Sequence, residues 1–420
     1  MSERFDVIVM GGGMVGAAIA CGLGQAGFKV AVIEAQTVPV YDANAFPDIR
    51  VSAISYASEQ ILVKLGAWRH IPFERKHIYR RLAVNEMPEK QGLAAKLPDI
   101  STWARTEFDA AEIDKTHLGH IIENRLIQMG LLKALESFES VKLFSPVKAK
   151  TLNLVGETKS VELETGQVLE ASLVIGADGA QSQVRELAGI GQYRERYTQQ
   201  AFVATVAYHG PEQDITWQSF RRNGPLAFLP LCSVNGQSYA SLVWYGHGAE
   251  LDRLIALSDQ ELLQAFTRAY PKELPPLQAI CQRGRFPLYK SHAHVYCKPG
   301  VVLAGDAAHT INPLAGQGVN LGFMDAAVLI ETLAQARIEG EPIGDLRVLS
   351  RYEKNRRSAN QIMMNMMDVF YYGFENKHLP VRVARNLGLG IAQRFGFAKK
   401  QVLKYAVGAS GAVPKLAKPV

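Results

Sequence analysis

An α/β protein with a parallel sheet at its core is the fold class this sequence predicts, from three strand-then-helix openings. Phe5–Met10 is a short apolar run, Met14–Ala26 has helical composition, and Lys29–Glu34 is a second strand. Leu173–Gly176 and Val301–Gly305 are two further apolar runs that lead into turn-rich text. Strands buried on both faces read as continuous apolar runs, and alternation with helical segments marks βαβ units.

The remaining elements follow in chain order. Ala35 to Asp48 is polar and contains proline, and Ser58–Leu65 reads as a helix. From about Ile71 to Asp109 the pattern is irregular with short alternating pieces such as Tyr79–Val84, and His120–Leu135 reads as one helix. Val161–Leu163 and Gln167–Leu169 flank Glu164-Thr165-Gly166, a hairpin signal. Between Ala201 and Phe286 the text turns β-rich (Ala201–Tyr208, Leu226–Leu231, Tyr239–Tyr245), which predicts an inserted, mainly antiparallel sheet. From Arg351 onward it is helical and rich in methionine.

Composition narrows the class. The 420 residues are 48% hydrophobic and 20% charged, ordinary values for a globular chain able to bury a core. Cys21, Cys232, Cys281 and Cys297 are scattered without a C-x-x-C pair, so no metal site is expected and the thiols read as reduced, in a cytoplasmic setting. The start of the chain has neither an n-region nor a cleavage site, and no apolar run reaches the ~20 residues of a spanning helix. The net charge is +6, yet residues 376–420 alone carry nine basic and no acidic side chains. The remainder is therefore slightly acidic, which argues against nucleic acid and directs attention to the tail. Within it, Val381–Val407 mixes apolar residues with Arg and Lys. That composition suits both a segment lying on the inner face of an anionic membrane and a solvated helical cap.

The first motif is Gly11-x-Gly13-x-x-Gly16, placed between a strand and a helix. The first glycine permits a tight turn, the second lets backbone approach a pyrophosphate, and the third allows close helix–strand packing. Met14 and Val15 sit in the first helical turn, whose free N–H groups favour phosphate. Glu34, 18 residues after Gly16, can accept the ribose hydroxyls and disfavours a 2′-phosphate, so the ligand is an ADP-containing cofactor, FAD or NAD.

Two later motifs select between these. Asp178-Gly179 lies in Gly176-Ala177-Asp178-Gly179-Ala180-x-Ser182-x-Val184-Arg185, and Gly305-Asp306-Ala307-Ala308-His309 continues to Pro313-Leu314-Ala315-Gly316-Gln317-Gly318-Val319-Asn320. With the fingerprint, these motifs resemble the single-component, FAD-dependent aromatic-ring hydroxylases of the para-hydroxybenzoate-hydroxylase type. The likeness covers essentially the whole chain. Within that family, Asp48–Ser55, Gly224–Leu231, Ser241–Tyr245 and Gly305–Gly322 are most similar to the ubiquinone-biosynthesis branch. Trp217-Gln218-x-Phe220, Asp368–Tyr371 and Arg385–Leu389 point, within the branch, to hydroxylation of a demethoxyquinol.

The resemblance implies a Rossmann-like FAD-binding domain made of residues 1–72, 104–180 and 282–350. It further implies a substrate domain of 73–103 and 181–281 and a basic helical region at 351–420. It implies that Asp306 takes a ribityl hydroxyl and that the Gly316–Gly318 turn faces the pyrimidine end of the flavin. Asp178-Gly179 would lie near the pyrophosphate, and Arg50 and Gln128 would match positions contacting FAD. Pro313 and Gly316 would flank the site where a C4a-hydroperoxyflavin forms, with no acid or base residue assigned. NAD(P)H would act as transient reductant and O₂ as co-substrate, since a second nicotinamide fingerprint is absent. Phe220, Phe228, Trp244 and Tyr245 are candidates for the apolar substrate wall, against the ordinary reading of strand aromatics as core. The implied substrate is a polyprenyl quinol, and a ubiquinone-biosynthesis protein assembly is an implied partner.

Bland readings stand beside these. Asp178 can cap a turn, Arg185 can be a surface ion pair, His309 a packed turn histidine and Arg125 a solvated helix residue. Competing functions are a sister phenol hydroxylase, a non-catalytic flavin-binding subunit of that assembly, and a flavin reductase acting on prenyl chains.

Overall fold

The computed structural model describes residues 2–38, 40–86, 105–221, 223–311 and 318–375. Of the C-terminal part it describes 400, 401, 403, 408 and 413–419. A six-stranded sheet forms the centre of the first half, in the order Cys297–Lys298, Val301–Leu303, Leu173–Gly176, Val7–Met10, Val30–Ile33, Val141–Phe144. All its pairs are parallel except the first. All four of its inner strands are buried at every position, as continuous apolar runs require when helices cover both faces. Helix Met14–Gln25 packs against Asn124–Leu135 and Gly318–Ile338. At Gly22 an added Cβ would lie 2.4 Å from Ile330 Cδ1, so the close approach of two of these helices depends on glycine.

The hairpin of Lys159–Leu163 and Val168–Ala171 forms as its turn predicts, within a separate four-stranded sheet. A three-stranded sheet places Gly119–Glu123 between Val51–Ser55 and His77–Tyr79. Here the structure corrects the sequence reading: Gly119–Glu123 is a fully buried strand, and the helix begins only at Asn124. Two adjacent isoleucines between His120 and Glu123 carry no alternation, so the text does not distinguish a buried strand from a helical turn.

The second half is an eight-stranded sheet in the order His309–Thr310, Leu277–Ala293, Gln192–Tyr208, Gln237–His247, Leu226–Val234, Ile215–Phe220, Arg81–Glu86, Thr106–Asp109. Only the pair Ile215–Phe220 with Arg81–Glu86 is parallel. Helices Gly248–Ala256 and Asp259–Ala269 supply Leu251, Leu254, Leu262 and Phe266 to a core with Phe202, Phe228, Leu242 and Trp244. Ser258 and Glu261 form a capping box that starts the second helix. The sheet's other face turns toward the parallel half. The expected boundary between residues 281 and 282 falls inside the strand Leu277–Ala293, which carries the chain from one half to the other.

Candidate active site

The cofactor end is built from three strand ends. At the first, Gly11 has φ +99°, and a Cβ there would lie 2.4 Å from Ala177 O, so strand and neighbouring loop touch through glycine. A Cβ on Gly16 would lie 1.9 Å from Gly11 O, which is how the helix starts so close beneath the turn. Gly13, by contrast, has nothing within 4 Å of its Cβ position, and no side chain caps the helix that follows. An open cradle, uncapped N–H groups and a positive dipole end are what a pyrophosphate requires.

Glu34 is buried, with Oε2 accepting from Gly12 N at 2.8 Å and Oε1 from Gln36 N at 2.7 Å. Gln128 Nε2 donates to Gly12 O at 3.0 Å. Both side chains therefore fix the shape of the glycine loop, a role the sequence reading did not give them.

The second strand end carries Asp178-Gly179. Asp178 Oδ2 accepts from Gln183 N (2.7 Å) and Val184 N (3.2 Å), so it caps the short helix Gln183–Leu187, while its buried Oδ1 has no partner. Gly179 has φ +81° and faces open space. Arg185 is not a surface residue: it is buried, and its guanidinium donates to Ala307 O (2.8 Å) and Ala180 O (3.0 Å), tying the second motif to the third.

The third strand end carries Gly305-Asp306. Asp306 is exposed to the cleft, whose walls partly desolvate its carboxyl and push it above the usual range, with His309 and Arg50 partly offsetting this. Behind the loop lies a group the sequence reading missed. Asp325 is fully buried and accepts through Oδ2 from Gly305 N (3.1 Å) and His309 Nε2 (2.5 Å). Its Oδ1 accepts from Arg356 Nε (2.8 Å) and Asn360 Nδ2 (3.0 Å). Burial alone would raise this carboxyl; His309 and Arg356 outweigh it and hold the group well below the ordinary range. His309 is thus a packed, hydrogen-bonded histidine.

Gly318 and Val319 line the cleft at the start of their helix. The side chain of Asn320 engages backbone: Oδ1 accepts from Ser55 N (3.0 Å) and Nδ2 donates to Ala53 O (2.8 Å), pinning the strand that follows Arg50. Arg50 lines the cleft. Arg125 is a half-buried ion-pair partner of Glu123 (2.8 Å), not a solvated residue. Pro313, Gly316 and Gln317 lie outside the described residues.

From these motifs a single cavity of about 730 Å³ runs onto the free face of the eight-stranded sheet. Its far wall is apolar or neutral and includes Val203, Leu229, Val243, Tyr245, Leu288 and Tyr289. Tyr245 lines this cavity. Phe228 and Trp244 do not: both point to the opposite face, into the core beneath the two helices. Phe220 is buried and does not line the cavity. Successive strand residues alternate faces, so choosing adjacent aromatics selected both sides of the sheet. Among the described lining residues only Arg50 and Asp306 are charged.

These observations fit FAD. The glycine cradle and uncapped helix suit a pyrophosphate, Glu34 and Asp306 suit two sets of sugar-type hydroxyls, and the neutral wall suits a planar ring. Comparison with known proteins agrees. The FAD binding domain family matches residues 4–366. The chain is 43% identical over 97% of its length to the 3-demethoxyubiquinol 3-hydroxylase of Escherichia coli (strain K12), covering 99% of that protein. It is 32% identical over 96% of its length to the ubiquinone hydroxylase UbiL of Rhodospirillum rubrum, covering 89% of it. Among solved structures, Pseudomonas aeruginosa PqsL superposes with a TM-score of 0.76 at 21% identity, over 92% of this chain and 99% of PqsL. The p-nitrophenol 4-monooxygenase PnpA of Pseudomonas putida gives 0.75 at 20% identity, over 96% and 98%. The likeness to the two solved structures is one of fold, whereas the first two proteins are similar in sequence over nearly the whole chain. The chain belongs to the FAD-dependent ring-hydroxylating monooxygenases, in the branch that holds the ubiquinone hydroxylases.

Proposed function

We propose that the protein hydroxylates a ring carbon of a polyprenylated demethoxyubiquinol, with FAD as resident cofactor, NAD(P)H as reductant and O₂ as the oxygen source. The observation that carries this is the single cavity joining the cofactor motifs to a neutral, largely apolar sheet face. The 43% identity to a 3-demethoxyubiquinol 3-hydroxylase supports the choice of ring. The lining contains apolar side chains for a substituted benzoquinol and neutral hydroxyl and amide groups for its oxygens, Ser241, Thr216 and Gln218 among them.

FAD, when bound, supplies the oxygen activation; the chain's own residues position and exclude. Gly11, Gly13, Met14, Val15 and Gly16 would take the pyrophosphate, Glu34 the adenosine ribose, and Asp306 a ribityl hydroxyl. Arg50, Gly179, Gly318 and Val319 would close around the cofactor, with Asp178, Gln128, Gly305 and Asn320 holding those loops in place. Pro313, Gly316 and Gln317 belong to the same motif and are proposed at the flavin edge. The neutral wall keeps water from the reacting ring and orients its hydroxyls without a charged base. The basic tail is proposed to rest on an anionic membrane from which the substrate is drawn; most of Val381–Val407 lies outside the described residues, and Leu403 within it is buried against Ala110, Ile113 and Leu118 and lines the cavity. Among the described residues no helix is long and apolar enough to cross a membrane.

The test is to incubate the FAD-loaded protein with demethoxyquinol, a reductant and ¹⁸O₂, and to weigh the product. One ¹⁸O atom in the ring, located by fragmentation, is the expected result. Flavin reoxidation without label in this quinol would overturn the substrate assignment and favour a sister ring position.

A further inference from the structure

Away from the cofactor, three side chains converge on one point beside the substrate wall. Glu59 comes from the helix Tyr56–Lys64, His117 from the loop before the strand Gly119–Glu123, and His120 from that strand. Their side chains are 12%, 12% and 7% exposed. His117 Nε2 lies 2.6 Å and His120 Nδ1 3.1 Å from the same oxygen, Glu59 Oε2. All three atoms fall within 4.8 Å of one another.

Hydrogen bonding within the cluster does not satisfy it. His120 Nδ1 pairs with Glu59 Oε2 without the alignment of a hydrogen bond, so its buried nitrogen is paired by charge alone. A buried polar atom without a well-aligned hydrogen bond calls for an explanation. His117 meanwhile has its other nitrogen, Nδ1, 2.8 Å from Thr116 Oγ1. A hydrogen bond at the far ring nitrogen is the device that orients metal-bound imidazoles.

We propose that Glu59, His117 and His120 form a binding site for one zinc-class divalent ion. Two imidazoles and a carboxylate are the donor set such ions accept, with the fourth tetrahedral position left to water. The sequence hides the site, because Glu59 stands 58 residues from the H-x-x-H pair and cysteine spacing gives no hint of it. The ion would stiffen the catalytic cavity from behind. Leu118, between the two histidines, lines that cavity, as does Tyr79, whose hydroxyl would be 3.0 Å from a Cβ on Gly119. Lys76 is the competing cation, since its charge acts on both Glu59 and His120.

The experiment uses tag-free, FAD-loaded full chain, stripped with a chelator and titrated calorimetrically with zinc chloride, with bound metal counted after gel filtration. One zinc per chain is expected. Glu59→Gln and His117→Asn, each at unchanged flavin content, are expected to weaken binding at least tenfold. Lys76→Met is expected to tighten it. Glu59→Gln keeps an acceptor for the two rings, so it guards against loss of the fold in the histidine variant. Equal zinc binding by the parent chain and both ligand variants, or no stoichiometric uptake by the parent, overturns the proposal and leaves protons alone in the cluster.

Discussion

The two walls of the catalytic cavity are made in opposite ways. The cofactor wall consists of three short loops at the ends of parallel strands, each shaped by glycine and held by side chains behind it. The other wall, proposed here for the substrate, is one face of a large, mainly antiparallel sheet, where the direction of each side chain decides its role. The first depends on backbone geometry that a Cβ would destroy. The second depends on register, and it tolerates changes of side chain provided their volume stays near that of the original.

The most damaging test of this contrast is Gly16→Val. Its Cβ would stand 1.9 Å from Gly11 O, so strain of about 3 kcal/mol or more is expected, with at least roughly 100-fold loss of FAD affinity. Fluorescence titration with FAD reads this directly, and ordinary affinity in the variant would show that the cradle is not rigid.

Asp325→Asn comes next, because it breaks a buried charged network and should cost about 3–5 kcal/mol. The parent's folded pKa lies below the ordinary Asp value, so this stability is present above that value and disappears as pH falls through the lowered folded pKa. Urea midpoints measured across the acid range should therefore converge for parent and variant only at low pH. A constant gap would remove the charge from the explanation.

The substrate wall is probed by a neighbouring pair. Trp244→Ala, on the core face, should lose about 3–5 kcal/mol of stability and leave the quinol KM unchanged in the protein that remains folded. Val243→Phe, one residue away and facing the cavity, should cost at most about 1–3 kcal/mol yet raise that KM several-fold at full flavin content. Reversed outcomes would mean that the faces have been assigned the wrong way round. The smallest change in stability is expected of Asp306→Asn. The carboxyl's pKa is raised, so its ionisation costs stability as pH rises above the ordinary Asp value. The apo variant should be slightly more stable at neutral pH while binding FAD about tenfold more weakly. Thermal melts with and without FAD separate the two contributions.

The same contrast explains what the sequence discloses. Gly11, Gly13, Gly16, Asp178-Gly179 and Gly305-Asp306 can be found by eye because each works within a few residues of itself. Asp325 cannot, since its partners Gly305, His309, Arg356 and Asn360 come from 16 to 35 residues away on other elements. Glu34, Gln128 and Asn320 were legible as important positions, but their hydrogen bonds to loop backbone appear only once the chain is folded. Phe228 and Trp244 illustrate the limit on the sheet: aromatic character shows burial, whereas the face depends on a register fixed by the partner strands. The strand Gly119–Glu123 was missed because five buried positions in a row carry no period.

Gln192–Tyr208 and Leu277–Ala293, seventeen residues each, run side by side from the cofactor end to the far edge of the substrate sheet. They act as a beam. A hinge needs residues released from ladder hydrogen bonds, and along this beam the pairing lapses most at the gap between Arg196 and Gln200, opposite Leu288. Outside that gap the spacing between cofactor and bound ring would be set by sheet geometry, which leaves Tyr197–Gln199 as the place where the beam can flex. A quinol with a truncated tail should present its ring at the same depth as one with a long tail, and chain length should affect capture more than the position of attack.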